Sequence, residues 1–352
     1  MGYWRILLIP FACLYGLVIR FRHLLFNVGI LKSETFPVPV IGVGNLSLGG
    51  TGKTPFVEYL IRLLMEENNV AILSRGYGRK TQGLQVANAD SSFEDIGDEP
   101  MQYFHKFGNK ITVLVDKNRR NGITRLLKSD HKPDVVLLDD SFQHRYVKPG
   151  LSILLTDCHK LYTDDYLLPA GTLRDTISAA KGADIIVVTK TDRVLSPFVR
   201  REIVNKLKVK QHQQLIFSYI TYGKFVPFPG VEKYDDKKKP SSITLFSGIA
   251  NATPLVEHAR TLCNELNIIR FYDHHVYSKK DLMKIKKEFD DVFVKRKIIV
   301  TTEKDAMRLI NSPYFRLLEK LPLYYIPIRI KIHKEDSLKF RNQIIEYVKQ
   351  NR

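Results

Sequence analysis

Cysteine and tryptophan are scarce in this chain, and acidic residues are clearly outnumbered by basic ones. The 352 residues include three cysteines, widely separated and without a C-x-x-C spacing, so neither a disulfide framework nor a zinc site is indicated and a reducing compartment is favoured. The net charge of +18 favours an anionic partner: a nucleic acid, an acidic membrane or a phosphorylated substrate. No motif that reads nucleic acid accompanies this charge, and one tryptophan leaves little surface for base stacking. We therefore expect no nucleic-acid partner.

A glycine-rich turn follows the apolar run at residues 38–46 and precedes a helical pattern at residues 55–64. In such a loop, backbone N–H groups wrap phosphates, Lys53 reaches the β- and γ-phosphates, and the Thr54 hydroxyl binds Mg²⁺. The full phosphate-loop pattern requires a glycine at position 47, where this chain has Ser47. We predict a nucleoside triphosphate site made of Gly49, Gly50, Thr51, Gly52, Lys53 and Thr54.

Strand and helix patterns alternate along the rest of the chain. This alternation predicts an α/β fold, with a mostly parallel sheet flanked by helices, a second and smaller α/β lobe, and ligands at the carboxyl ends of the strands. Strands are predicted at 38–46, 70–74, 111–115, 135–138, 151–155 and 185–189, then at 243–246, 268–271 and 298–301, with helices near 101–107 and 119–128. The predicted divisions are a membrane-associated helix at 1–32, a nucleotide-binding lobe at 33–212, a linker at 213–241 and a C-terminal lobe at 242–352, whose last strand and helix can alternatively return to the linker or the first lobe.

An uncharged apolar run lies close to the N-terminus, at residues 6–19. As a helix it would be about 21 Å long, shorter than the roughly 30 Å of bilayer hydrocarbon. No small-residue cleavage site follows it, which argues against a secretory signal. Arg20, Arg22 and His23 come next, and apolar residues beside cations suit a helix embedded in one leaflet of an anionic membrane. We predict a monotopic anchor; a core helix and a full span are the alternatives.

Two acidic pairs are candidates for metal binding or proton transfer. Asp139 and Asp140 end the predicted strand at 135–138, which is the Walker B arrangement for holding Mg²⁺ beside a phosphate loop. Since adjacent strand residues point to opposite faces, both need not contact the metal, and a simple turn is the alternative. Asp98 and Glu99 open the helical pattern near Met101, where they are either N-capping residues or a base and a metal ligand facing the nucleotide.

Basic side chains and a histidine pair also follow predicted strands. Arg75, the Arg119-Arg120 pair and Arg174 lie in loops expected to line the cleft, and arginine binds phosphate through a fixed fork of donors. In the second lobe, Asp273-His274-His275 follows a strand. A histidine held by an aspartate can support a general base, whereas companion ligands for a metal are lacking; a polar turn is the alternative.

Together these motifs resemble the tetraacyldisaccharide 4'-kinase family, the lipid A 4'-kinases of Gram-negative bacteria. The matching segments run in order to about residue 309: 44–45, 49–55, 74–78, 97–100, 139–144, 168–174, 273–275 and 302–305. Two positions depart from the family pattern: Ser141 stands where glycine is typical, and Thr172-Leu173-Arg174-Asp175 where Pro-Leu-Arg-Glu is typical. Both departures keep the charged residues, so they affect loop geometry rather than chemistry.

The resemblance implies ATP-dependent phosphorylation of the 4'-hydroxyl of a lipid A disaccharide 1-phosphate precursor, at the cytoplasmic face of the bacterial inner membrane. Asp98 would be the catalytic base, paired with His274 rather than His275. Lys53 and Thr54 would hold the phosphates and Mg²⁺. Further metal ligands would be Asp140, Gln143 and Glu99, with Asp139 in support. Candidates for substrate or transition-state contacts are Arg75, Arg119, Arg120, His144 and Arg174.

The implied partners are the lipid A precursor and an anionic membrane surface, with no obligate protein partner. Two other functions stay open. A membrane-associated GTPase has its best support in Thr189-Lys190-Thr191-Asp192, which mimics the guanine-reading [NT]-K-x-D box. Against a GTPase, Phe142 and Gln143 stand where a switch D-x-x-G requires glycine. The third possibility is a membrane-bound ATP sensor that transfers nothing.

Overall fold

The computed structural model describes residues 4–235, 238–273, 275–310 and 312–352. Over these residues the chain forms ten α-helices and fourteen β-strands. The helices are α1 (Trp4–Asn27), α2 (Lys53–Leu64), α3 (Phe93–Ile96), α4 (Asp98–Phe107), α5 (Arg119–Leu127), α6 (Pro197–Leu207), α7 (Thr253–Leu262), α8 (Lys279–Asp290), α9 (Glu303–Ile310) and α10 (Lys334–Gln350). The strands are β1 (Val40–Asn45), β2 (Val70–Ser74), β3 (Gln85–Val86), β4 (Ile111–Val115), β5 (Val135–Asp139), β6 (Leu151–Asp157), β7 (Ile185–Thr189), β8 (Gln214–Tyr222), β9 (Val226–Pro227), β10 (Ser242–Ser247), β11 (Glu265–Arg270), β12 (Lys297–Thr302), β13 (Leu323–Ile326) and β14 (Ile328–Ile332).

The larger sheet has nine strands in the order β14-β8-β7-β6-β1-β5-β2-β4-β3. Its central strands are parallel, and only the edge pairs β14–β8 and β3–β4 are antiparallel among the described strands. Helices cover both faces, so β1, β2, β5 and β7 are buried along their whole length, as continuous apolar runs require. The predicted α/β fold is confirmed.

The smaller sheet has five strands in the order β11-β10-β12-β13-β9, of which β9 alone pairs antiparallel among the described strands. It forms the core of the second lobe. The chain then returns to the larger sheet, because β14 pairs with β8 and α10 packs Phe340 against Phe56 of α2. Strand β8, which lies in the segment predicted as a linker, pairs with β7.

Helix α1 is longer than the apolar run that predicted it, because it continues through the basic residues to Asn27. Its 24 residues correspond to about 36 Å. Among the described helices it is the one long and apolar enough to cross a membrane, by length and composition. Large apolar side chains along it are exposed, including Ile6, Leu7, Phe11, Leu14, Leu17, Val18, Phe21 and Leu24. The helix is therefore suited to membrane association.

Candidate active site

The phosphate loop joins β1 to α2 through Gly52, whose φ of 84° is in the left-handed region that favours glycine. No side chain among the described residues caps the start of α2. Its first N–H groups therefore remain available for an anion, and the helix dipole adds positive potential there. From the neighbouring end of β7, the Thr189 hydroxyl donates to the Thr51 carbonyl oxygen at 2.7 Å. This bond holds the loop against the sheet.

Lys53 points toward the ends of β1 and β5. Its Nζ is 3.1 Å from Oδ1 of Asn45 and 3.6 Å from Oδ1 of Asp140. The same Asn45 oxygen accepts a hydrogen bond from Nη2 of Arg174 at 2.7 Å. The sequence motif at 44–45 contains Asn45 but assigns it no role. The signal for such a role is a polar residue at the end of a buried strand. It links the lysine of the phosphate loop to a predicted substrate-binding arginine.

The two aspartates at the end of β5, Asp139 and Asp140, have opposite electrostatic environments. Burial, with the carboxylates of Glu99 and Asp140, raises the pKa of Asp139 to about 6, although Lys53 and Arg119 oppose this. Burial also tends to raise the pKa of Asp140, but the hydrogen bonds from Arg174 and the charge of Lys53 lower it to about 2. Asp140 is therefore ionised at neutral pH, whereas ionisation of the Asp139 carboxyl is opposed by its burial.

Oxygen atoms suited to Mg²⁺ lie at this edge of the sheet. Oδ1 of Asp139 and Oε1 of Gln143 are buried and have no hydrogen-bond partner among the described residues. Glu99, Asp139 and Asp140 do not converge within 4.8 Å as a three-carboxylate group, as far as the described residues show. Mg²⁺ usually takes one or two carboxylates and completes its shell with water and substrate phosphates. The donor set therefore fits Mg²⁺ bound together with a nucleotide.

Asp98 is the first residue of α4, and Gly97 occupies the N-cap position, so Asp98 is not a capping residue. Gly97 has a φ of 94°, and a Cβ there would lie 2.9 Å from the Tyr77 carbonyl oxygen. Asp98 Oδ2 accepts hydrogen bonds from Nε of Arg308, at 3.0 Å, and from its Nη2. Arg308 belongs to α9 of the second lobe, so the predicted base is bound by a residue of the other lobe, and none of the sequence motifs includes this residue. The only signal was its position three residues after the Thr302–Asp305 motif.

Helix α4 also packs on the phosphate-loop helix. Gln102 Nε2 donates to Oε1 of Glu58 on α2 at 2.8 Å. Tyr103 donates to Oδ2 of Asp139 at 3.3 Å, and its hydroxyl interacts with the Thr54 side chain. These contacts place the middle of α4 beside the phosphate-loop helix and the end of β5.

The histidines predicted in the second lobe have different outcomes. His274 lies outside the described residues, so its pairing with Asp98 stays a prediction. Nε2 of His275 is 3.1 Å from Oδ2 of Asp281, and its ring stacks on Phe271 with centroids 4.6 Å apart. His275 is thus engaged within its own lobe.

The predicted cationic residues lie around the two aspartates. Arg119 is almost fully buried, and its Nη2 donates to the Asp139 carbonyl oxygen at 2.9 Å. Burial and the Arg119 charge lower the pKa of His144 to about 4, so this imidazole is neutral at pH 7. Arg75 is exposed, yet its charge acts on both Arg119 and His144. Arg120 lies over the Tyr146 ring, at 5.3 Å from its centroid.

The membrane-type helix contacts the loop that carries Arg174. Tyr15 donates to the Arg174 carbonyl oxygen at 3.1 Å, and Nε2 of His23 is 2.7 Å from Oδ1 of Asp175. Helix α1 therefore supports a site loop as well as presenting an apolar surface.

Comparison with known proteins shows which family this chain resembles. A family model described as tetraacyldisaccharide-1-P 4'-kinase matches residues 4–349. A tetraacyldisaccharide 4'-kinase from Bacteroides thetaiotaomicron is 44% identical over 98% of this chain and 93% of that protein. One from Flavobacterium johnsoniae is 45% identical over 100% of this chain and 99% of that protein. The crystal structure of LpxK from Aquifex aeolicus in complex with ATP is similar with a TM-score of 0.74 and 30% identity, over 98% of this chain and 99% of that one.

Proposed function

Because the chain belongs to the tetraacyldisaccharide-1-P 4'-kinase family, we propose that it transfers the γ-phosphoryl group of ATP to the 4'-hydroxyl of a lipid A disaccharide 1-phosphate precursor. The observation that carries this proposal is the network of Lys53, Asp140 and Arg174 at the phosphate loop. Two cations and a carboxylate beside the phosphate loop support the binding of a nucleotide triphosphate there.

In the proposed reaction, the 4'-oxygen of the sugar attacks the γ-phosphorus and the bond to the β,γ-bridging oxygen breaks, releasing ADP. Asp98 accepts the proton of the sugar hydroxyl, with His274 as its predicted partner. Lys53 and Arg174 stabilise the negative charge that spreads over the phosphoryl oxygens. Arg308 keeps the Asp98 carboxylate oriented.

Mg²⁺ would be held by Asp139 or Asp140, Gln143 and Thr54, with Glu99 nearby, and would neutralise phosphate charge. Asp139 suits this role because a bound cation would offset the burial cost of its ionised form. Arg75, Arg119, Arg120 and His144 remain candidates for acceptor or nucleotide contacts.

The proposed location is the cytoplasmic face of the bacterial inner membrane. Helix α1 supplies an exposed apolar surface, and the net charge of +18 favours anionic lipid and a phosphorylated acceptor. The length of α1 permits a full span of the bilayer as well as a helix lying in one leaflet. The monotopic arrangement is therefore a proposal.

Transfer of labelled γ-phosphate to a lipid A disaccharide 1-phosphate, with ATP and GTP compared as donors, tests the proposal. We expect a phosphorylated lipid with ATP and Mg²⁺ and much slower transfer with GTP. Preference for GTP would favour the GTPase alternative, and ATP binding without any labelled lipid would favour the sensor. The [NT]-K-x-D-like segment has other contacts here, since Lys190 Nζ lies 2.6 Å from Oδ2 of Asp157.

A further inference from the structure

Helix α4 presents a stripe of polar side chains to the second lobe. Asp98, Gln102 and Lys106 are spaced by four residues, so they lie on one face of the helix. Gln102 is buried, and the Lys106 side chain is only 16% exposed. Burial of charged and amide groups on this face requires partners, since an unpaired buried charge is costly.

The partners come from α9. Asp98 at the start of α4 binds Arg308 near the end of α9, whereas Lys106 near the end of α4 binds Glu303 at the start of α9, with Nζ 2.7 Å from Oε2. Gln102 lies between them and donates to the same Glu303 oxygen at 3.4 Å. The two helices therefore run antiparallel with complementary charge at both ends of the contact.

Lys106 has a second buried partner, which belongs to the phosphate-loop helix. Its Nζ lies 2.6 Å from Oε2 of Glu58, whose side chain is 1% exposed. Burial and the neighbouring Glu58 raise the pKa of Glu303, and Lys106 opposes this. A single ammonium group thus joins one carboxylate from each lobe, through the helix that carries Asp98.

We propose that Lys106 and Arg308 are positioning residues that set the register between the two lobes and thereby hold Asp98 against the nucleotide site. A slide of α9 by one helical turn, about 5.4 Å, would separate both ion pairs at once, so a single register satisfies all the buried charges. The catalytic part of this inference rests on the proposed function, because it takes Asp98 as the base.

The test compares Lys106→Met with the double variant Lys106→Met/Glu303→Gln. The single variant leaves Glu303 buried without its cation, so we expect kcat to fall about 10- to 100-fold, with KM for ATP changed by less than about twofold. The double variant removes the unpaired charge, while Glu58 keeps Arg62 at 3.0 Å and Gln102 at 2.8 Å. We therefore expect it to recover most of the lost rate. Lys110→Met is the matched control, because Lys110 is exposed just after the same helix.

Hydrogen exchange of the α9 backbone amides gives a second readout that does not depend on phosphoryl transfer. Exchange is expected to rise in Lys106→Met, to return toward that of the unmodified chain in the double variant, and to stay unchanged in Lys110→Met. Unchanged kcat and unchanged exchange in Lys106→Met, or a double variant as impaired as the single one, would overturn the inference. If the unmodified chain transfers no phosphate, the proposed function is refuted but the register inference is not. The exchange of the α9 amides still reports the register in that case. If Lys106→Met does not fold, Arg308→Lys, which keeps a cation beside Asp98 but cannot reproduce both of its hydrogen bonds, should raise α9 exchange, and no rise would count against the register.

Discussion

Arg174 donates two hydrogen bonds to Asp140, from Nη1 to Oδ2 at 2.8 Å and from Nη2 to Oδ1 at 2.7 Å. This fork-to-carboxylate geometry is the strongest form of such a pair. Both Asp140 oxygens are engaged, whereas Oδ1 of Asp139 has no hydrogen-bond partner among the described residues. Asp140 can be a metal ligand, as its sequence context predicts, if it shares an oxygen with Arg174. Asp139 offers an oxygen without such sharing.

Changing Arg174 should impair the reaction more than nucleotide binding. Arg174→Ala is expected to lower kcat about 100-fold or more, since it removes a cation from the site where charge develops. Arg174→Lys keeps the charge but cannot reproduce the fork, so most of the loss should persist. Steady-state kcat at saturating ATP and acceptor checks this, with the exposed Arg193→Ala as a control. Full activity of the lysine variant would show that charge alone suffices.

Asp139→Asn should stabilise the protein without nucleotide while abolishing transfer. The raised pKa, about 6 against an ordinary 3.8, means that ionisation costs folding free energy as pH rises through this interval. The gain from asparagine should therefore be on the order of 2 kcal/mol at pH 8 and smaller at pH 5. Thermal unfolding at the two pH values measures it.

Asp140→Asn is the matched comparison, and its effect should have the opposite sign. The pKa of Asp140 is lowered to about 2, so its ionised form stabilises the fold above the ordinary carboxyl pKa, and this contribution is lost as pH falls toward 2. Because the side chain is 30% exposed, we expect a loss of only about 1 kcal/mol at pH 8. Stability changes of the same sign in Asp139→Asn and Asp140→Asn would contradict the opposite pKa shifts of these two carboxyl groups.

Asp98→Asn should separate catalysis from lobe contact. The amide oxygen can still accept from Arg308, but it cannot take a proton, so kcat should fall about 10²- to 10⁴-fold. ATP affinity, measured by titration calorimetry, should remain nearly unchanged. Asp98→Ala also removes the partner of Arg308, and it should add a stability loss. Weakened ATP binding in the asparagine variant would instead assign Asp98 to the nucleotide site.

Two sets of changes should separate the roles of helix α1. Serine at Leu7, Phe11 and Leu14 removes exposed apolar surface, and we expect vesicle binding to weaken at least about 100-fold. Activity on a detergent-dispersed acceptor should persist in this variant. His23→Ala breaks the 2.7 Å contact with Asp175, so it should lower kcat while vesicle binding is retained. Co-sedimentation with anionic vesicles and detergent assays distinguish them; identical effects would mean that α1 has one role.

Much of the fold could be read from local patterns. The strands predicted at 70–74, 111–115 and 185–189 coincide with β2, β4 and β7, because a buried parallel strand is a continuous apolar run with polar ends. The phosphate-loop helix was predicted from position 55 and begins at Lys53. Short or amphipathic edge elements such as β3, β9 and β14 were missed, since few residues and mixed burial leave little periodic signal.

By itself, the sequence determined the alternating architecture, the phosphate loop and the cluster of acidic and basic residues after the strands, because these depend on contiguous residues and on the rule that parallel strands end at one edge. Only the tertiary structure decided the pairings. Arg308 meets Asp98 across 210 positions, Lys106 meets Glu303 across 197, and His23 meets Asp175 across 152. No local spacing encodes such contacts, because they arise when separately formed helices and loops pack and every buried charge must find an opposite one.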